Sequence, residues 1–471
     1  MGVARVFDVV VIGGGPGGYV AAIRAAQRGA KVALVESRDI GGTCLNRGCI
    51  PTKALVRSAE VYQNILGGAE FGARVSGVEL DFTQVMARKR QVVKKLTSGV
   101  EYLLKANGVQ VYAGRAAVPR PGVVEVALRD GGAERLETKN IIIATGSGPA
   151  LPPVSPKSLK LTISSDDALE LERPPQSMVV IGGGVLGVEF ACIYAAFGTK
   201  VDIIKRSPLI LPPVDDEIAQ RMAPLLRKIN VTITTGIYVK EIKRRGDMLV
   251  LCAEKKDAGP VEFSGEKILV AMGRVPDFGG LGLEGLGVAH DARGIKVDAR
   301  MRTSVPGIYA IGDVVGRFHL ASVASAEGLC AADDITGHGR DMDYAVVPAC
   351  VFSRPEAASV GLKEREAREQ GIDITVGKFM YGANGKALAL GEPDGMVKVI
   401  ARKGDGKVIG VHILGAQATD LIHEPALALK MGATAEDVAM MIHAHPTLSE
   451  IVMEAFHGAA GQAIHQAPAR K

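Results

Sequence analysis

An α/β fold is predicted for this chain by three observations. Near the N-terminus a strand-length apolar run enters a glycine-rich turn and then an alanine-rich helix. The same arrangement returns at Gly182, and the last quarter changes to consecutive strand patterns followed by helical ones. Two strand–turn–helix–strand units and a C-terminal α+β region suit a length of 471 residues, which favours about three domains.

The first unit is a strand over 9–12, the turn Gly13-Gly14-Gly15-Pro16-Gly17-Gly18, a helix over 19–28 and a strand over 31–35. Gly13, Gly15 and Gly18 form a G-x-G-x-x-G fingerprint. Its glycines let backbone N–H groups approach a pyrophosphate at the positive end of the helix. Glu36 ends the second strand, where a carboxylate accepts ribose hydroxyls.

Cys44 and Cys49 follow directly, in Gly41-Gly42-Thr43-Cys44-Leu45-Asn46-Arg47-Gly48-Cys49-Ile50-Pro51. A nucleotide site and a pair of thiols are therefore adjacent. A disulfide needs Cα atoms about 4.4–6.8 Å apart. A regular helix would separate these two by roughly 7.5 Å along its axis. If they pair, the segment is locally distorted, and Gly48 and Pro51 permit that. The alternative is two structural thiols that never pair.

The second unit runs from a strand over 178–181 through Gly182, Gly184 and Gly187 into a helix to 197 and a strand over 200–204. Glu189 lies in its helix. Two units imply two dinucleotides, and the thiols beside the first suggest an electron relay. Here the second strand ends in Lys205 and Arg206 rather than an acid. Two cations would suit a 2′-phosphate, the NADP signal, whereas Gly187 is the NAD-type third glycine. NAD is the expected cofactor, with NADP possible because of Lys205 and Arg206.

Boundaries follow the punctuation. The strand over 140–144 ends at Thr145-Gly146-Ser147, before a proline-rich crossing over 149–156. The second domain runs to the segment ending in Gly273, and a strand-like stretch over 307–313 ends in Asp313. These limits give domains at 1–148, 149–271, 272–343 and 344–471, the third continuing the first. Strands are expected over 374–381, 396–402 and 408–414, with helices from 419 onward.

Composition excludes several classes. The chain is 47% apolar and 23% charged, with a net charge of +5 and no basic stripe, so nucleic acid is disfavoured as a partner. The longest apolar runs are strand-length, so no membrane span is expected. Val6 stands where myristoylation wants Ser or Thr, and the first strand begins too early for a signal peptide. Cys192, Cys252, Cys330 and Cys350 are scattered, as buried thiols in a reducing cytoplasm would be. No metal site is expected.

The last motif is His443-Ala444-His445-Pro446-Thr447-Leu448-Ser449-Glu450. Thr447 and Glu450 fit a capping box opening the final helix. Alternatively, Glu450 orients His445 as an acid/base near neutral pH.

On the Gly41–Lys53 motif, the His445-Pro446-Thr447-Leu448-Ser449-Glu450 motif, Thr145-Gly146-Ser147 and Gly312-Asp313, the chain resembles the pyridine nucleotide–disulfide oxidoreductases, class I. It is most similar to the members that reoxidise dihydrolipoyl groups, over essentially its whole length. The resemblance implies two Rossmann-like domains, for FAD and NAD, and a C-terminal α+β dimerisation domain. It implies a Cys44–Cys49 disulfide, with Cys44 as the interchange thiol and Cys49 against the flavin. Lys53 would lie by the flavin and pair with Glu189, while Glu36 and Asp313 would bind the FAD ribose and ribityl hydroxyls. His445 and Glu450 would come from the other subunit of a homodimer. Partners would be lipoyl-carrying proteins of 2-oxo acid dehydrogenase or glycine cleavage complexes. Reductive relatives acting on glutathione or mercuric ion are the alternative, and a peripheral docking subunit of a multienzyme complex is another. Arg47 departs from the usual Val, offering either a cation to a neighbouring cysteine or a solvated side chain.

Overall fold

A computed structural model describes residues 5–467. The first sheet is built on β1 (Arg5–Ile12), joined by α1 (Pro16–Gln27) to β2 (Val32–Glu36), which lies parallel to it. Val9, Val10 and Val11 are fully buried, which explains why this strand is continuously apolar rather than alternating. The helix starts at Pro16, three residues before the expected start, because proline suits the first turn of a helix.

Next come α2 (Gly42–Arg47) and α3 (Cys49–Leu66), which meet at Gly48, and the long α4 (Phe82–Ala106). The expected distortion between the cysteines is this break at Gly48. Pro51 does not contribute to it, since it sits in the first turn of α3, where no helical N–H bond is lost. The strands β3 (Gln110–Arg120), β4 (Val123–Leu128) and β5 (Ala133–Ile143) form a meander. The start of β3 pairs with β2 and the end of β5 with β1, both in parallel.

β6 (Ser147–Pro149) leads out of this sheet toward two short helices, α5 (Pro156–Leu159) and α6 (Ser165–Ala168). Then β7 (Ser177–Ile181), α7 (Val185–Ala196) and β8 (Lys200–Lys205) repeat the first unit. A helix over Asp216–Lys228 and β9 (Val231–Thr235) follow, and the parallel sheet closes with Lys267–Val270 beside β7. An antiparallel three-stranded sheet over Ile237–Arg245, Met248–Lys255 and Gly259–Gly265 packs against it.

The return path is a strand over Arg274–Pro276 antiparallel to β6. The strand Ile308–Ala310 then adds to β5, completing the first sheet. It is shorter than expected: Asp313 lies not at a strand end but in the one-turn helix Gly312–Val315, opened by Gly312 at φ +73°.

The C-terminal domain is a five-stranded antiparallel sheet in the order Ala349–Val351, Glu356–Gly361, Val408–Gly415, Met396–Arg402, Ile374–Met380. The helix Ser449–Ala459 packs on it so closely that a Cβ at Gly377 would fall 2.0 Å from Ala455 O. Buried Lys398 ties this sheet to the second unit, at 2.8 Å from Asp215 Oδ1 and 2.7 Å from Glu364 Oε2. Among the described residues no helix is long and apolar enough to cross a membrane, and no cluster of His, Cys, Asp and Glu could hold a metal.

Candidate active site

The two glycine turns are built alike. Gly13 and Gly182 have φ of +109° and +122°, and a Cβ on either would lie 2.2 Å from a carbonyl, that of Ala144 or Ala271. A Cβ on Gly18 or Gly187 would strike the carbonyl of its own turn's first glycine, at 1.8 and 2.0 Å. No other residue allows this closure, which aims the N–H groups at the start of α1 or α7 outward for a pyrophosphate. The open side at Gly15 and Gly184 leaves room for one: the former has a single neighbour at 3.9 Å, the latter none within 4 Å. The residues therefore fit two dinucleotides. Beside the first, Glu36 accepts from Gly14 N and Arg38 N, both at 2.6 Å.

The redox segment starts on that same turn. Gly41 N donates to Gly14 O at 2.8 Å, and a Cβ at Gly42 would meet Gly15 Cα at 2.6 Å. Cys44 on α2 is half-buried, and Cys49 at the start of α3 is exposed. The two thiols face each other across the break at Gly48 as free cysteines. The hydrogen bond from Cys44, aided by the charge of Lys53, holds the Cys49 thiol down to about 7. Sharing that bond, and being buried, pushes Cys44 up. Of the two, Cys49 is the more acidic thiol.

One turn into α3, Lys53 Nζ lies 2.8 and 3.0 Å from the carboxylate oxygens of Glu189 on α7, as expected. Glu189 is 2% exposed and also accepts from Phe352 N at 3.0 Å. The ring of Phe352 lies 4.3 Å below the ammonium. Three domains therefore meet at one cation.

Thr145, Gly146 and Ser147 and the Asp313 turn also come together. Ser147 Oγ donates to Asp313 and accepts from Arg274 Nε at 2.7 Å, and Thr145 Oγ1 donates to Asp277 O. Gly273 repeats Gly146 in the second unit: both have positive φ and a clear Cβ side.

In the C-terminal domain, His445 Nδ1 lies 2.8 Å from Glu450 Oε1, while Oε2 accepts from Thr447 N at 2.8 Å. Burial works against the charge of Glu450, but those two donors outweigh it and hold its carboxyl below the usual range. The capping box is only half present. The Thr447 hydroxyl turns back to Ala444 O at 2.7 Å, and the helix begins at Ser449 without a side-chain cap. With Nδ1 engaged, the ring is exposed and its Nε2 makes no hydrogen bond among the described residues.

The description pyridine nucleotide-disulphide oxidoreductase matches residues 7–328, and the dimerisation domain of the same family matches residues 347–456. The chain belongs to this family. Dihydrolipoyl dehydrogenase of Bacillus subtilis (strain 168) is 44% identical over 98% of this chain and 100% of its own length. That of Geobacillus stearothermophilus is 45% identical over 97% of each. Among solved structures, the Cu(II) complex of the HOCl-induced flavoprotein disulfide reductase RclA from Escherichia coli aligns with a TM-score of 0.86, at 28% identity, over 96% of this chain and 99% of that one. The protein is an NAD-dependent flavin disulfide oxidoreductase with FAD and NAD as cofactors, two dinucleotide-binding domains and a dimerisation domain.

Two departures from the family motif acquire a structure. The Arg47 guanidinium is paired with acids, 2.9 Å from Asp39 and 3.6 Å from Asp166 of α6. Lys205 is half-buried and donates to Leu209 O. Sequence reasoning missed Phe352, Arg274 and Glu327. Buried Glu327 accepts from Gly312 N and Tyr344 Oη, both at 2.6 Å, and so fixes the turn that carries Asp313. Only Arg274, directly after Gly273, had a nearby motif to signal it.

Proposed function

We propose that this protein reoxidises dihydrolipoyl groups carried on partner proteins of 2-oxo acid dehydrogenase or glycine cleavage complexes, acting in the cytoplasm as a homodimer. The observation that carries the reading is the Cys44–Cys49 pair, placed across the break at Gly48 beside the first glycine turn. The full-length likeness to dihydrolipoyl dehydrogenases supports the substrate. FAD would be held by 1–148 with 272–343, through Gly13, Gly15, Gly18, Glu36, Thr145, Gly146, Ser147 and Asp313. NAD would be held by 149–271, through Gly182, Gly184, Gly187 and Gly273.

In the oxidised enzyme a dihydrolipoyl thiolate attacks Cys44 Sγ, a sulfur–sulfur bond forms to the substrate, and Cys49 leaves as thiolate. Cys49 is the better leaving group because its thiol is the more acidic of the two. His445 Nε2 of the other subunit takes the proton of the second substrate thiol, whose sulfur then closes the lipoyl ring and releases Cys44. Glu450 holds His445 in the tautomer that leaves Nε2 free and stabilises the imidazolium. Cys44 and Cys49 end reduced by two electrons. FAD, held as above with Cys49, Lys53 and Glu189 beside it, would supply two-electron transfer between this pair and a nicotinamide.

A mixing experiment tests this. Cys44→Ser and His445→Gln homodimers should each be inactive toward a dihydrolipoyl carrier domain. Mixed dimers should regain about half of wild-type activity per dimer, because one complete site is restored. No recovery despite demonstrated subunit exchange would refute the shared site. Faster turnover of glutathione or Hg²⁺ than of dihydrolipoamide would refute the substrate.

A further inference from the structure

We propose that the second dinucleotide site accepts a 2′-phosphate, so that the phosphorylated nicotinamide dinucleotide binds there alongside NAD, held by Lys205 and Arg206 at the end of β8. This rests on the reading of the second glycine turn as the nicotinamide site.

The two units can be compared atom by atom. A Cβ on Gly14 would lie 3.2 Å from Glu36 Oε2 and 3.1 Å from Ile40 Cδ1. A Cβ on Gly183 would lie 3.0 Å from Lys205 Cδ and 2.9 Å from Ile210 Cγ2. Lys205 therefore stands where Glu36 stands in the first unit, at the place that meets the adenosine ribose. The chemistry is inverted. A carboxylate accepts from two hydroxyls, whereas an ammonium has only donors and cannot accept from either.

The charge at this position is also uncompensated. Among the described residues Lys205 makes no ion pair, and its one hydrogen bond goes to the neutral carbonyl of Leu209. Burial lowers its pKa for lack of a counter-charge. Arg206 is exposed and, among the described residues, likewise makes no ion pair. A phosphate between them supplies the missing negative charge and two to three acceptors, and the guanidinium can engage it bidentately.

The test is calorimetric titration of the FAD-loaded protein with 2′,5′-ADP and with 5′-ADP, which reads binding without turnover. At low salt 2′,5′-ADP should bind on the order of tenfold tighter or more, and the gap should narrow as salt rises. Lys205→Gln and Arg206→Ala should each reduce the gap, and Lys205→Glu should reverse it. Retained FAD checks that each variant is folded. Equal affinity of the wild type for the two ligands, or tighter 5′-ADP, would overturn the proposal without any variant being needed. A protein that prefers 2′,5′-ADP yet fails to oxidise dihydrolipoyl groups keeps this inference and loses the substrate assignment.

Discussion

Replacing Lys53 with Met tests the junction of the three domains, because it keeps the aliphatic stem and deletes the charge. The Glu189 carboxylate, 2% exposed, would then keep only the backbone N–H of Phe352, at 3.0 Å. Deleting one partner of a buried pair generally costs about 3–5 kcal/mol. The Lys53 side chain is 30% exposed, so water already screens its outer end. The expected loss is therefore smaller, about 2–3 kcal/mol, including the contact with the Phe352 ring. A second effect reaches the chemistry. Lys53 helps to hold Cys49 down to about 7, so without it the thiolate forms at higher pH. Urea unfolding reads the first effect. The second is read from the long-wavelength charge-transfer absorbance of the two-electron-reduced enzyme, titrated with pH. A Cys49→Ser variant should lack that band while retaining FAD, which identifies its source. In wild type the band should fade as pH falls through about 7, and in Lys53→Met it should fade at higher pH. Adding Glu189→Gln removes the stranded charge and should restore much of the stability, so the two substitutions are not additive. An unmoved midpoint in Lys53→Met, or strictly additive losses in the double variant, would refute this account.

Two further outcomes are expected. Arg47→Val should cost less than about 1 kcal/mol and leave the charge-transfer midpoint unchanged, because the guanidinium is paired with Asp39 and Asp166 rather than with a thiol. His412, fully buried on the strand Val408–Gly415, is pushed down to about 4 by that burial, so between pH 6.5 and 4 the unfolded chain binds more protons than the folded one. Stability present at neutral pH is then lost on acidification, by about 2 kcal/mol at pH 5, and His412→Asn should flatten this slope in urea unfolding.

Much of this site was legible because its chemistry is local in sequence. The apolar run into Gly13, its repeat into Gly182 and the spacing of Cys44 and Cys49 each constrain backbone within a dozen residues, and the structure matches them. What was not legible depends on partners distant in the chain. Phe352 meets Glu189 across 163 residues, and nothing around Phe352 marks it. Spacing also cannot choose between two hydrogen-bond partners. Thr447 had a helix N-cap within reach and bonded to Ala444 O instead, and Lys205 folded onto Leu209 rather than into solvent. Nor can it state a redox level, since the same two sulfurs serve as dithiol and disulfide.

The strands β6 and Arg274–Pro276 run side by side, with Pro276 opposite Ser147 and Asp277 N donating to Gly146 O at 3.0 Å. The chain thus leaves the first sheet and rejoins it through a single two-stranded neck. Such a neck is the signature of a cassette: everything beyond it can be exchanged for another nucleotide-binding module, or for a tight turn, without re-threading the first sheet. Two buried contacts fasten the cassette further, Lys53 at Glu189 and Lys398 at Asp215. A chimaera that respects the neck but ignores Lys398 would leave a buried ammonium facing the wrong surface. The matching of these two charges therefore limits which modules can be spliced in.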